Sequence, residues 1–344
     1  MSQFPAVTFE HTHRLTPAIS RFLRSVLWGT EGALYRLPEV DSMLRQLSNP
    51  MFLTLTEEET LVAVRMILEK EVRCDGQPLH CFYHSFFSVA PGVAGRGYGK
   101  RLAHAMLEHL EPRLDGRGLI YSHVERGNRR SLAVHEALGY QRVGSFHTVS
   151  FNRLWPRMFA NAQKMSRADA PVVLQALSTQ YADHAMFDFP QSLDPEHYFV
   201  WRDGSEPVAG LQVSRQRWQI CQLTGIGGAL ALKLLPRIPL VRTVFNPADF
   251  RFLKVGNVFY RQGRAAAVFR LLESVVAQFQ LKTALMFWDP MSPVYKGLTE
   301  AGSFGLLNAL TQTPAEILGR FYGFTRVEIA EFCRRPKVIS PTDI

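Results

Sequence analysis

Hydrophobic positions along this chain alternate between helical and strand spacing. Residues 6–11 read as a first strand. Over residues 16–28, Ile19, Phe22, Leu23, Val26 and Leu27 recur at helical spacing, with Thr16 placed to cap and Pro17 at the first helical position. Residues 29–51 show no single period. Residues 52–56 and 61–72 predict two strands around the acidic turn Glu57-Glu58-Glu59. Cys74-Asp75-Gly76 is a second turn, and residues 79–89 form a long returning strand. Residues 100–111 predict a helix with Leu102, Met106 and Leu110 in one stripe, widened by Ala103 and Leu107. Pro112 and Asp115-Gly116 end it. Residues 119–124 are the next strand, so strand–helix–strand order calls for a parallel crossover. A short helix over 130–138 stops at Gly139, and residues 141–152 supply closing strands.

The second half repeats this order. Residues 154–170 read as a connection and 171–186 as an amphipathic helix. Strands at 198–203 and 208–223 flank Gly204. Residues 252–255, 263–279 and 281–288 again run strand, helix, strand, followed by a short helix over 292–301. The pattern predicts two similar α/β units divided near residues 155/156, with an unrelated α/β partner domain as the alternative. Residues 224–249 form an insertion that fits core packing, a lid, a subunit contact or a membrane-surface element.

The chemistry concentrates in residues 86–101, FFSVAPGVAGRGYGKR. A strand runs into a Pro91-Gly92 break, then Gly95, Gly97 and Gly99 alternate with Arg96, Tyr98 and Lys100 before a helix. Glycines permit positive φ and close approach of a ligand to the main chain. The first N–H groups of a helix lack partners within it, and with the helix dipole they favour a phosphate or pyrophosphate. A Walker A loop does not fit, because Ala94 stands where its first Gly belongs and Arg101 where it needs Ser or Thr. A dinucleotide fingerprint begun at Gly95 fails at Lys100, and one begun at Gly97 fails at Leu102.

Val89-x-Pro91 followed by Gly95-x-Gly97-x-Gly99 and a helix resembles the acetyl-CoA pyrophosphate loop of the GNAT N-acetyltransferases. Val124, Asn128, Ser131, Val134 and Leu138-Gly139-Tyr140 resemble that family's second signature, at the expected distance. The two motifs cover about residues 85–145, and family topology extends them to about 5–155. The chain departs from the pattern at Ala94, where the family often has Arg or Gln, and at His135, where it often has Tyr near the coenzyme sulfur.

The resemblance implies a mixed α/β sheet fold with two GNAT-like acyl-CoA N-acyltransferase domains in tandem. Residues 1–155 would hold the coenzyme site. Residues 156–344 would be degenerate, because only Gly263 stands in the second loop and no counterpart of Asn128 precedes Tyr295. It implies acetyl-CoA as co-substrate and an amine acceptor, small molecule or peptide. The pantetheine would pair with the backbone near Phe87 and Val89. The pyrophosphate would sit on the amides from Gly95 through Arg96, Gly97, Tyr98 and Gly99 to Lys100. Asn128 and the small residue Ser131 would help hold the coenzyme, with Arg96, Lys100 and Arg101 adding to the phosphate field. His135 falls near the sulfur as candidate acid. His123 and Glu125, on one face of the second parallel strand, are candidate bases.

Composition narrows the alternatives. The 344 residues are 47% hydrophobic and 20% charged, enough for ordinary cores in about two domains. A net charge of +9 and a pI near 9.6 favour anionic partners, but no zinc-finger or RNP-type motif supports nucleic-acid binding. The four cysteines form no CxxC pair and read as reduced thiols of a cytoplasmic protein. The start lacks an apolar signal core. The apolar stretch 225–241 is too interrupted to span a bilayer. His80 and His84 lie about 13 Å apart on a strand, too far for one ion, so no metal site is expected. A non-catalytic acyl-CoA-binding or regulatory module is the runner-up, motivated by His135 in place of Tyr and the eroded second half.

Overall fold

The computed structural model describes residues 7–30, 33–223, 237, 239–309 and 313–343. Its strands are β1 (Val7–Thr12), β2 (Ala33–Arg36), β3 (Met51–Glu57), β4 (Thr60–Cys74), β5 (Gln77–Val89), β6 (Gly118–Glu125) and β7 (Gln141–Asn152). They continue with β8 (Ala162–Lys164), β9 (Tyr198–Asp203), β10 (Glu206–Leu223), β11 (Phe250–Tyr260), β12 (Thr283–Trp288) and β13 (Pro314–Tyr322). They form one sheet in the order β1-β3-β4-β5-β6-β13-β7-β12-β11-β10-β9-β8, and β2 pairs with β10 off that path. The order is mirrored about its centre, between β13 and β7. The parallel pair β5/β6, joined through helix α3 (Tyr98–Leu110), has its counterpart in β11/β12, joined through the helix Ala265–Gln278.

The two halves exchange their last strands. β7 follows the first half in sequence but pairs antiparallel with β12, from Thr283↔Asn152 to Trp288↔His147. β13 pairs antiparallel with β6, from Ala315↔Glu125 to Tyr322↔Gly118, and with β7 on its other side. The exchange gives every strand at the seam a partner on both edges, so no ladder groups are left open there. β2 also crosses over: Tyr35 lies opposite Ile220 of β10 and stacks on Trp218 at 4.1 Å.

Most predicted elements form close to their expected bounds. Thr16 caps α1 (Pro17–Ser25) by accepting from the Ile19 N–H. Helix α3 starts at Tyr98, two residues before the expected Lys100, and buries Leu102, Ala103, Met106, Leu107 and Leu110 against Phe82 and Ile120. Burying each large side chain contributes about 1.5–3 kcal/mol. Three expectations need correcting. The connection at 154–170 contains β8. Residues 141–152 are one strand, not several. The helix α5 (Ala170–Gln180) ends six residues early, because Ala185 bridges to Lys337 and Phe187 to Arg73. The aperiodic stretch 29–51 holds β2 and α2 (Val40–Arg45). Of the 224–249 insertion, residues 224–236 and 238 lie outside the described residues; the helix Pro239–Val244 and the turn Pro247–Asp249 follow. Among the described residues no helix is long and apolar enough to cross a membrane.

Candidate functional site

β5 and β6 pair only at Cys81↔Leu119, Phe82↔Ile120 and Tyr83↔Tyr121, and then part. The cause is local. Phe86 has φ +51°, and Phe86 and Phe87 together oppose Arg65 between the pairs Met66↔Ser85 and Val64↔Ser88. Such a bulge bends its strand. β6 meanwhile stays on β13 as far as Glu125. The Ala90 N–H donates to Val62 O (2.8 Å), so that amide faces β4. By alternation, the backbone groups of Phe87 and Val89 face the gap.

The gap leads to the glycine loop. Gly95 and Gly97 take φ +87° and +86°, and a Cβ at either would meet no atom within 4 Å. Gly97 is the N-cap of α3 and no side chain caps the helix there. Its first amides are therefore open to an anion. Gly99 has a different reason to be glycine: a Cβ there would lie 3.2 Å from the Phe87 ring. Tyr98 turns its ring inward and its hydroxyl donates to Glu57. It can offer a ligand its amide but not its ring. Arg96, Lys100 and Arg101 are exposed around the loop.

Asn128 and Ser131 act on each other. The Asn128 side chain caps α4 (Arg129–Ala137) by accepting from the Ser131 N–H (3.1 Å). The helix it starts carries His135 to the α3 face of the sheet. There His135 is 2% exposed and its Nδ1–H donates to Ser131 O (2.7 Å). Its ring stacks on His84 at 5.2 Å, and His84 Nε2 bonds the Tyr140 hydroxyl (3.0 Å). Burial, with the Arg65 guanidinium nearby, lowers the His135 pKa to about 4 against the pull of its bond to Ser131. At neutral pH His135 is therefore uncharged, with a lone pair on Nε2. This differs from the proton donor expected from its ordinary pKa.

His123 and Glu125 share a face, as alternation requires, and it is the face opposite His135. His123 packs against Tyr83, Tyr121 and Phe146. Among the described residues neither of its ring nitrogens has a hydrogen-bond partner, and burial, with Lys70 behind it, lowers its pKa to about 3. Glu125 accepts from the Thr30 hydroxyl (2.6 Å). Beneath this face, Lys70 holds Asp188 (2.6 Å) and Asp343 (2.5 Å), and the Tyr121 hydroxyl donates to Asp343 (2.8 Å). The structure thus gathers Phe87, Val89 and the Gly95–Lys100 loop along one gap, and sets His135 and the His123/Glu125 pair on its two sides.

The second half repeats the gap and fills it. β11 and β12 pair from Leu253↔Ala284 to Val255↔Met286 and then part. Asn257, at φ +48°, takes the place of Phe86, with Val258 for Phe87 and Tyr260 for Val89. Here protein atoms occupy the backbone. The Gln180 carboxamide accepts from the Tyr260 N–H (2.9 Å) and donates to Val258 O (3.2 Å), which also accepts from the Tyr181 hydroxyl (2.7 Å). Tyr260 reaches across to Val294 O (2.9 Å). Ser292 stands at the N-cap corresponding to Asn128, makes no cap bond, and pairs with His184 (2.9 Å).

Sequence reasoning passed over Arg65, His84 and Gln180. Arg65 had a signal: it is the one charge in the apolar run from Leu61 to Leu68. The spacing of His84 from His80 speaks only to a metal site and gives no sign of its place beside Tyr140. Gln180 had none, because its role depends on where α5 stops.

Residues 21–140 match the family model described as the acetyltransferase (GNAT) family. No curated protein matches the chain. Among solved structures, the chain is similar to a GCN5-related N-acetyltransferase from Sphaerobacter thermophilus, with a TM-score of 0.52 and 14% identity over 91% of this chain and 95% of that one. It is similar to Saccharomyces cerevisiae N-myristoyltransferase with bound myristoyl-CoA, with a TM-score of 0.58 and 7% identity over 94% and 85%. It is also similar to the glucosamine N-acetyltransferase region of a fungal multi-domain beta-N-acetylglucosaminidase, with a TM-score of 0.59 and 12% identity over 92% and 38%. At these identities the structures speak to the fold alone. Residues 21–140 thus match the GNAT family model, and the chain as a whole shares the fold of these N-acyltransferase structures.

Proposed function

We propose that the chain is an acyl-CoA-dependent N-acyltransferase that moves an acetyl group, the simplest donor, from coenzyme A to an amine. The observation that carries this reading is the open gap between β5 and β6 leading to uncapped amides at Gly97–Lys100. The coenzyme's diphosphate lies on those amides, supplemented by Arg96, Lys100 and Arg101. Its pantetheine pairs with Phe87 and Val89, and its thioester reaches the point where the strands part. Asn128 and Ser131 hold the start of α4 in register with the coenzyme. The coenzyme domain is residues 1–155, and residues 156–344 form a second domain whose gap is closed by Gln180. We place the protein in a reducing, cytoplasmic compartment, in keeping with its four free cysteines.

The amine enters from the face of His123 and Glu125. Its nitrogen attacks the thioester carbonyl, forming the C–N bond as the C–S bond breaks. An alkyl amine with a pKa near that of Lys, about 10.4, must first lose a proton. Glu125 receives that proton directly or through water, while His123, neutral by burial, orients the amine. A backbone N–H near Val89 faces the carbonyl oxygen as charge develops. His135 lies on the sulfur side. Neutral in the free chain, it serves as acid by taking a proton from solvent on Nε2 and passing it to the coenzyme sulfur as the C–S bond breaks, while the amine's proton stays with Glu125.

Measuring thiol release from acetyl-CoA across a panel of small and peptide amines tests the reading. Amine-dependent release is expected. Tight coenzyme binding without release on any amine would favour the non-catalytic module instead.

A further inference from the structure

The gap described above ends at buried nitrogens of Arg65 and His84 that the acetyl-transfer reading leaves unused. The inference drawn from them rests on that reading of the gap as the coenzyme site. Arg65, opposite the Phe86–Phe87 bulge, is 1% exposed. Its guanidinium lies 3.7 Å over the Phe87 ring, and Nη1 donates to Met106 Sδ (3.1 Å). Among the described residues its Nε and Nη2 have no hydrogen-bond partner and no carboxylate pairs with it. A buried cation without a counter-charge is among the costliest groups a protein can hold. His84 Nδ1 and His135 Nε2 are likewise buried without hydrogen-bond partners among the described residues, on stacked rings with centroids 5.2 Å apart.

The position of these groups gives them a use. His84 is the first residue of β5 beyond Tyr83, the last to pair with β6. A pantetheine entering from the glycine loop and running past Val89 and Phe87 brings its acyl end to this point. An acetyl methyl group offers the nitrogens nothing to bond. The unpartnered Nε and Nη2 form one edge of the guanidinium, the edge that matches the two oxygens of a carboxylate. With Tyr140 O–H donating to His84 Nε2, His84 Nδ1–H becomes a further donor.

We infer that the acyl group carried to this site ends in a carboxylate: the preferred donor is the coenzyme A half-thioester of a short dicarboxylic acid, and Arg65 with His84 selects it. Acetyl-CoA is then a truncated donor that the site accepts more weakly. The bound carboxylate supplies the counter-charge that Arg65 lacks in the free chain.

The test is a calorimetric titration of the full chain with coenzyme A, acetyl-CoA, malonyl-CoA and succinyl-CoA. At least one carboxylate-ended thioester should bind ten-fold or more tighter than acetyl-CoA. Arg65→Met should erase that advantage and leave the affinity for coenzyme A itself within about two-fold. If Arg65→Met does not fold, His84→Phe replaces it and should shrink the advantage at least three-fold. Equal affinities for all three thioesters overturn the inference, as does an advantage that survives in a folded variant. Both results leave the coenzyme site standing if coenzyme A binds; failure of coenzyme A to bind overturns the reading beneath.

Discussion

The Tyr260 N–H donates to Gln180 Oε1 at 2.9 Å, in the place where the equivalent amide of Val89 faces an open gap. Two halves with one strand order thus differ in whether this backbone amide is already taken. In one half a side-chain carboxamide from α5 saturates the strand. In the other, the strand keeps its donor and acceptor available for a ligand. Full saturation of a buried backbone is the rule, so the unsaturated copy is the one to read as a binding site.

One coenzyme per chain follows. Calorimetry of the full chain with coenzyme A should give a stoichiometry near one. Replacing Gln180 with Ala should not add a second site, because the second loop has only Gly263 to offer a phosphate. Two sites of comparable affinity would contradict the assignment of the second half.

The glycine loop should tolerate little. Gly97→Val forces a branched residue into φ +86°, at a cost of about 1–2 kcal/mol, and places methyl groups where the diphosphate would lie. Coenzyme affinity should fall at least ten-fold with a loss of a few degrees in Tm. Unchanged affinity in the folded variant would remove the loop from the site.

His135→Ala should cut turnover by about 10²–10⁴-fold if the residue moves a proton, with coenzyme affinity nearly intact. Steady-state kinetics beside calorimetry separates the two. Turnover within two-fold of the parent would take His135 out of the mechanism.

Stability should fall with acid in a defined window. His135 titrates at about 4 and His123 at about 3, both lowered by burial, against about 6.5 in the unfolded chain. Between these values the unfolded state binds more protons, so stability is full above pH 6.5 and is lost as pH falls toward 4 and below. Across the full window His135 accounts for on the order of 3 kcal/mol and His123 for on the order of 5. Urea unfolding at pH 7, 5.5 and 4.5 should show the loss, and His123→Phe should flatten it. A parent profile level from pH 7 to 4.5 would contradict the buried, neutral assignment.

The tail should prove structural. Burial works against the Lys70 charge, but Asp188 and Asp343 outweigh it and raise its pKa. Asp343→Ala removes one partner of a buried cation and should cost about 3–5 kcal/mol, read as a lower urea midpoint. A loss under about 1 kcal/mol would show the pair to be solvated.

How much of this was legible in the sequence depends on the range of the interactions. The glycine loop, the Leu102–Met106–Leu110 stripe and the Thr16 cap are local, and the chain states them within a few residues. The two motifs at Val89–Gly99 and Asn128–Tyr140 gave the fold family because their spacing is short. The strand exchange was hidden, because nothing in residues 314–322 names β6 as their partner. The stop of α5 at Gln180 was hidden too, since residues 171–186 keep a helical look while Ala185 and Phe187 are pulled into bridges to Lys337 and Arg73. Alternation put His123 and Glu125 on one face, but only packing showed which. The shift that leaves His135 neutral comes from burial under the packed sheet and then from Arg65, seventy residues away in sequence.

The most direct measurement is amide hydrogen exchange of the full chain with and without acetyl-CoA. The account predicts slowed exchange at Val89 and at Gly97–Lys100, with Tyr260 unchanged and already protected by Gln180. Protection appearing at the second gap, or none at the glycine loop under saturating coenzyme, would contradict it.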